Sequence, residues 1–299
     1  MFNVSNSIYE LKVILKKIPE TLRYLCCKEK ILINSWIVLK NGKLQHRNFG
    51  DELNYHLVTS LTGKRVYNSS DILLSNKNIM VIGSIIESKT DKDSIIWGSG
   101  AMFGDCNKRL PKPKKVLAVR GPLTRDYLLS QGIDCPEVYG DPALLFPYIY
   151  TPIVEKRYKL GVIPHNHDID CEYLNKLRDD MHVKIISLKN YDDWKQVITD
   201  ICSCDFIVSS SLHGLIISDA YKIPNCWIKL TNKVEGGNFK FHDYFMSVGR
   251  EVCDPIVVNK QITKEEVLKF KECYKLIDWD PQPLLQVAPF KIQNPIRNN

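Results

Sequence analysis

From about residue 31 onward, short runs of β-branched and aliphatic residues alternate with stretches whose apolar positions recur every three to four residues. Period-2 or continuous apolar runs of four to eight residues read as strands, and the i, i+3, i+4, i+7 pattern reads as amphipathic helix. In the first half this predicts strands near Ile31–Ile37, Lys64–Tyr67, Ile79–Ile82, Ile95–Trp97 and Val116–Val119. A helix is expected over Asp51–Leu61, with Leu53, Leu57 and Leu61 on one face, and another from Pro122 to Gln131. The second opens on proline and stops at Gly132, the usual asymmetry of helix ends.

The segment GDPALLFPYIYTP, residues 140–152, interrupts the alternation with Pro142, Pro147 and Pro152 and reads as a domain boundary. Beyond it the pattern restarts. YKLGVIPH is a strand, a helix lies around Tyr173–Asp180, and VKIISL is a second strand. Trp194, Val197, Ile198 and Ile201 align on a helix, DFIVSS is a third strand, a helix begins at Leu212, and NCWIKL is a fourth strand. Thr263 and Glu266 form a capping box opening a further helix. The tail from about Asp278 is expected over the surface. Strand–helix alternation on both sides of the boundary predicts an α/β protein of two similar halves, residues 1–148 and 149–299, joined by a proline-rich hinge.

Composition narrows the function class. The 299 residues are 44% apolar and 25% charged, the profile of a globular chain. No apolar segment reaches the ~18 residues of a membrane-spanning helix, and no signal-peptide core is visible, so a cytoplasmic protein is expected. The ten cysteines form no CxxC pair and read as reduced thiols, several of them core filler. A net charge of +7 suits an anionic substrate or an acidic membrane surface; no zinc-finger spacing or RNP-like motif points to nucleic acid. Residues 1–30 carry six Lys/Arg against three Glu, with Ile8, Leu11, Leu15 and Ile18 at helical spacing. Two readings fit them: an interfacial helix on acidic lipid at the inner membrane face, or a helix packed on its own domain.

In doubly wound sheets ligands bind where strand C-termini meet helix N-termini. Four such junctions carry chemistry. In NFGDELN (48–54), Asp51 is either a helix cap or a carboxylate that orients a hydroxyl. VIGSIIE (81–87) and WGSGAMFGD (97–105) put Gly83 and Gly98 after apolar strands, where backbone approaches a ligand closely or simply turns. Neither is a G-x-G-x-x-G fingerprint, so no nucleotide cofactor is indicated. In VLAVRGPLT (116–124), Arg120 leaves a buried strand and needs an anionic partner, from a ligand or from a structural ion pair. In SSSLHG (209–214), His213 falls on the first turn of a helix behind Ser209, Ser210 and Ser211. There the helix dipole lowers an imidazole pKa, and a bound anion restores the proton; a buried, satisfied histidine is the alternative. His165 and His167 beside Asp168 lack a clear further metal ligand, and no metal is expected. The aromatic, glycine-led stretch 236–251, with Lys240, His242 and Arg250, reads as a mobile covering loop or a plain surface loop.

Taken in order, NFGDELN, IMVIGS, WGSG, VLAVRGPLT, YGDPALLFP, LGVIPH and SSSLHGLIISDAYKIP make the chain resemble the polysaccharide pyruvyl transferase family, from about residue 46 to 249. The resemblance implies a GT-B-like α/β fold, two Rossmann-like domains facing a cleft, and transfer of a pyruvyl group from phosphoenolpyruvate to hydroxyls of a surface glycan. The acceptor it implies is a galactose-containing glycan, free or lipid-linked, and the product a pyruvate ketal; no cofactor is expected beyond that co-substrate. It implies His213 as general acid, Arg120 as anion clamp and Asp51 as base. The donor side would be Arg120, Ser209, Ser210, Ser211, Leu212, Lys240, Arg250 and His165. The acceptor side would be Asn48, Asp51, Glu52, Gly83 and Gly98. Many family members carry arginine where this chain has Ser211, so another group must grip the donor's acids. Two other functions remain open: a nucleotide-sugar glycosyltransferase, and a non-catalytic glycan-binding protein.

Overall fold

The computed structural model describes residues 4–41, 43–44, 48–73, 77–105, 109–189 and 191–293. The first half contains α1 (Val4–Cys26), β1 (Lys30–Ile33), an antiparallel hairpin β2 (Leu39–Lys40) and β3 (Lys43–Leu44), and α2 (Phe49–Thr62). Then come β4 (Arg65–Asn68), β5 (Asn78–Met80), α3 (Ile86–Lys89), β6 (Ser94–Trp97), β7 (Lys115–Ala118) and α4 (Pro122–Ser130). The second half contains β8 (Leu160–Ile163), α5 (Asn175–Arg178), β9 (Val183–Ile185), α6 (Trp194–Cys202), β10 (Ile207–Ser209) and α7 (Leu212–Ala220). It closes with β11 (Asn225–Lys229), α8 (Phe239–Ser247), β12 (Ile256–Val257), α9 (Lys264–Leu268) and α10 (Gln282–Gln286). No described helix is long and apolar enough to cross a membrane.

Two five-stranded sheets form, ordered β4-β1-β5-β6-β7 and β12-β11-β10-β8-β9, with every pair in them parallel. Ile31 lies opposite Val66, Ile79 opposite Ile95, and Val208 opposite Val162 and Cys226. Strands β6 and β8 are buried throughout, as expected where helices cover both faces of a parallel sheet. Numbered within its own sheet, each set has the strand order 2-1-3-4-5. That order reverses direction between its first and third strands, and the reversal opens a crevice beyond the strand C-termini. The two crevices lie after β1 and β5 in one sheet and after β8 and β10 in the other.

Three expectations need correction. The proline-rich segment is more than a hinge: Pro142–Tyr148 is a 3-10 helix, started by the Asp141 carboxylate accepting from Ala143 N at 2.9 Å. Its apolar residues Ala143–Phe146 join one core with Leu53, Leu57 and Trp97 of the first half and Ile163, Leu215 and Trp227 of the second. Proline's fixed φ suits a first turn, and the side chains between the prolines are too apolar to leave in water. The tail does not merely lie over the surface: Trp97 Nε1 donates to Leu284 O at 2.9 Å, Gln293 N donates to Leu61 O at 2.8 Å, and Leu284 is fully buried. It therefore returns to the first sheet. Finally, the stretch 236–251 is no mobile loop. It contains α8, with Phe241, Tyr244, Phe245 and Val248 buried at helical spacing.

Candidate functional site

The crevices of the two sheets face each other across a cleft of about 190 Å³. The first half lines it with Trp36, Asn48, Gly50, Asp51, Gly83 and Ser84. The second half contributes His165, Asn166, Ser211, Leu212, His213 and Lys240. A larger concavity of about 630 Å³ lies at the β7 edge among Lys112, Val116, Leu129 and Ile133, away from this constellation.

Its floor is built by short-range hydrogen bonds after β10. Ser209 Oγ accepts from Ser211 N at 2.9 Å and lies 2.9 Å from Ile163 O, tying β10 to β8. Ser210 Oγ donates to Asp168 at 2.7 Å and accepts from His165 N at 2.9 Å. Those two serines hold the scaffold, while Ser211 lines the cleft as the N-cap residue of α7 and makes no capping bond. The N–H groups of Leu212, His213 and Gly214 have no acceptor among the described residues. Unpaired first-turn amides at a positive helix end form an anion cradle. Gly214 permits the tight turn, since a Cβ there would lie 2.3 Å from Ser209 Oγ.

His213 stands where two helix N-termini meet. The start of α2 presses on its ring so closely that a Cβ on Gly50 would fall 2.3 Å from His213 Nδ1. The residue is half-buried, but Nε2 is enclosed and has no hydrogen-bond partner among the described residues. Burial, then the charges of Lys240, Arg120 and His165, push its pKa down to about 3. Burial, Lys240 and His167 likewise lower His165 to about 4. Both imidazoles are neutral at neutral pH.

Lys240, on the first turn of α8, is 7% exposed and makes no ion pair or hydrogen bond among the described residues. Desolvation and the nearby Arg120 lower its pKa to about 8, against the raising effect of Glu235. A buried ammonium with no ion-pair partner, only the Phe241 ring 5.6 Å away and the longer-range field of Glu235, is costly and calls for an anion. Asp51 is the one carboxylate among the described lining residues, and its charge opposes the burial that lowers the pKa of nearby Lys89. The Lys89 ammonium sits 3.7 Å above the half-exposed ring of Trp36 at the cleft edge.

Other expected site residues lie elsewhere. Arg120 is fully buried, and each of its three nitrogens is occupied: Nε by Asp243 at 2.9 Å, Nη1 by Ser84 Oγ at 2.5 Å, Nη2 by Ala101 O at 2.6 Å. Asp243 also accepts from Thr124 N at 2.8 Å and Thr124 Oγ1 at 2.7 Å. The guanidinium is thus a strut between the halves behind the cleft, not a ligand clamp within it. Arg250 bonds Asp219 and Asn225, both at 2.8 Å, outside the cleft. Gly98 packs on Pro142, where a Cβ would approach to 2.3 Å. Glu52 lies in a separate pocket with His56, Tyr191 and Trp194. Asp168 is taken by Ser210 and Thr231, and no group of three His, Cys, Asp or Glu able to hold a metal occurs among the described residues.

Sequence reasoning passed over Ser84, Asp243, Trp36 and Asn166. The signal for Asp243 was available: it follows Lys240 by one helical turn, on a segment whose apolar residues keep a 3.6 period.

Comparison with known proteins bears on the same junctions. The chain is 29% identical over 217 residues to uncharacterized protein L143 of Acanthamoeba polyphaga mimivirus, covering 68% of this chain and 72% of that one. It is 28% identical over 210 residues to the succinoglycan biosynthesis protein ExoV of Rhizobium meliloti (strain 1021), covering 69% of this chain and 63% of ExoV, under two thirds of its length. The family model for polysaccharide pyruvyl transferases matches residues 48–232, more than half the chain and all the cleft residues from Asn48 to His213. With that span matched, the chain belongs to the polysaccharide pyruvyl transferase family.

Proposed function

We propose that this protein transfers a pyruvyl group from phosphoenolpyruvate to two hydroxyls of a galactose unit, in a polysaccharide or its lipid-linked precursor, forming a cyclic ketal. Supporting the donor is one observation above all: the unpaired, buried Lys240 ammonium shares a small cleft with the unpartnered amides of α7 and with His213. That set suits a compact polyanion. Supporting the acceptor class is ExoV, whose name places that relative in succinoglycan biosynthesis. The fold reading that accompanies it is GT-B-like, two Rossmann-like halves with their switch points opposed.

The chemistry follows from the groups. Lys240 and the α7 amides hold the donor's phosphate and carboxylate. The bound charge raises His213 from its depressed pKa, and His213 gives its proton to the methylene carbon. Positive charge develops at the adjacent carbon, stabilised by its phosphate ester oxygen. A sugar hydroxyl adds there, and Asp51 receives the hydroxyl proton. A second hydroxyl then adds as the bond from that carbon to the phosphate oxygen breaks. The product is a ketal with a new methyl group, and inorganic phosphate leaves carrying the balance of protons. Arg120 acts from behind, through the Asp243 pair that fixes α8 and hence Lys240.

Incubating the protein with phosphoenolpyruvate and a panel of galactosides, and assaying free phosphate and product mass, tests this. Phosphate release that depends on a galactoside is expected, with at least ~10²-fold loss in His213→Gln. Turnover of a nucleotide sugar instead, or sugar binding without phosphate release, would sink it.

A further inference from the structure

Helix α1 is built the wrong way round for a helix that only serves its own domain. Its packed face holds on mainly through polar groups, with one aromatic contact: Glu20 and Thr21 are buried, Thr21 Oγ1 accepts from Leu73 N at 3.0 Å, and the Tyr24 ring meets Tyr67 edge-on at 5.4 Å. Tyr67 Oη donates to Arg23 O at 3.1 Å, and Arg23 Nη1 donates to Asn41 Oδ1 on the β2–β3 hairpin at 3.0 Å. Leu11, Leu15, Ile18, Leu22 and Leu25, spaced four, three, four and three apart, form one stripe with Ile14 beside it. All six are between 37% and 56% exposed. A contiguous outward stripe of this kind marks an interaction surface.

Charge identifies the partner. Lys12 and Lys16 border the stripe on its exposed side, Lys28 follows the helix, and Lys40 adjoins the Asn41 contact. None of these four lysines has an ion pair among the described residues. A second copy of α1 would present the same lysines to each other, without the opposite charges that flank a coiled-coil seam. An anionic lipid surface instead takes the leucines into its acyl boundary and the lysines among its headgroups. The helix is not apolar enough to cross. We infer that α1 is an interfacial anchor, lying flat on an anionic bilayer and held to the protein by its polar face.

Flotation of the full chain with phosphatidylcholine vesicles, with and without phosphatidylglycerol, tests the anchor without involving the cleft. Binding to the anionic vesicles alone is expected. Neutralising two headgroup-level lysines in K12Q/K16Q should weaken it about thirtyfold, at about fivefold per side chain. L15E/L22E should abolish it, while phosphate release from soluble substrates and helical circular dichroism stay unchanged in both variants. Equal binding to both vesicle types, or affinity unmoved by K12Q/K16Q, would overturn the anchor. So would a lipid-free dimer that sedimentation shows to dissociate in L15E/L22E, since that assigns the stripe to a second copy.

Discussion

Replacing Lys240 by methionine should make the protein more stable and a worse enzyme at once. The ammonium's pKa falls from 10.5 to about 8 in the folded state, chiefly through desolvation. At 1.36 kcal/mol per pH unit, that drop is a folding cost of about 3 kcal/mol. The sign is set by the depressed folded value. The cost is complete below about pH 8, where both states are protonated, and disappears as pH rises past the unfolded value of 10.5. Methionine keeps the length and packing of the stem without the charge, so Lys240→Met should gain up to about 3 kcal/mol at pH 7. The proposed polyanion reverses the balance by supplying the ion-pair partner that the ammonium does not have. Removing one member of a buried charge pair costs about 2–5 kcal/mol, so KM for phosphoenolpyruvate should rise at least ~30-fold. Urea unfolding at pH 7 and pH 10 reads the first effect, and initial-rate kinetics the second. A variant less stable than the parent at pH 7, or one with unchanged KM, would refute the claim that Lys240 waits uncompensated for an anion.

Other expectations follow from the same geometry. With Lys240 as the titrating cation, kcat/KM for phosphoenolpyruvate should fall as pH rises through about 8, and Lys240→Arg should remove that limb from the pH–rate profile. In the proposed acid role, the neutral His213 must gain a proton on donor binding. Calorimetry in buffers of different ionisation enthalpy at pH 7 should therefore show more proton uptake in the parent than in His213→Gln; equal uptake would exclude the acid assignment. Gly50→Ala drives a methyl into the imidazole, and a displacement of about 1 Å there should cost ~10²-fold in kcat with the fold retained. Asp243→Ala strands a buried guanidinium and should lower unfolding free energy by about 3–5 kcal/mol in denaturant titrations.

Much of this arrangement was legible in the sequence, and the exceptions share a cause. Strands of continuous aliphatic residues, such as Ile95–Trp97 and Phe206–Ser209, could only be parallel and covered on both faces, so the layering was readable. Glycine and serine after such strands located Gly83 and Ser211 on the cleft. What local pattern does not carry is the identity of a long-range partner. Arg120 rightly signalled a buried charge in need of an anion, but its partner lies 123 residues further on, in a helix hidden behind a Gly-Gly pair. The prolines of 140–152 read as a hinge because proline breaks regular structure anywhere; the burial of Pro142–Phe146 depends on two sheets meeting, which no window of ten residues records.

The two misread features also explain each other. In the structure, the buried 3-10 helix and the Arg120–Asp243 strut both cross between the halves, one through apolar packing and one through a satisfied ion pair. Between them they fix the spacing of two strand-order reversals, and that spacing leaves room for a small polyanion beside Gly50 and His213. Arg120 thus need not touch the ligand to matter for it. With its charge absorbed by Asp243, its remaining long-range field disfavours the protonated forms of Lys240 and His213 until an anion arrives. A guanidinium in the cleft itself would have stabilised bound phosphate directly; placed behind it and paired, it raises the proton demand that ligand binding must satisfy. The absence of arginine at Ser211 is then consistent with a cleft whose cation is Lys240 and whose remaining donors are backbone amides.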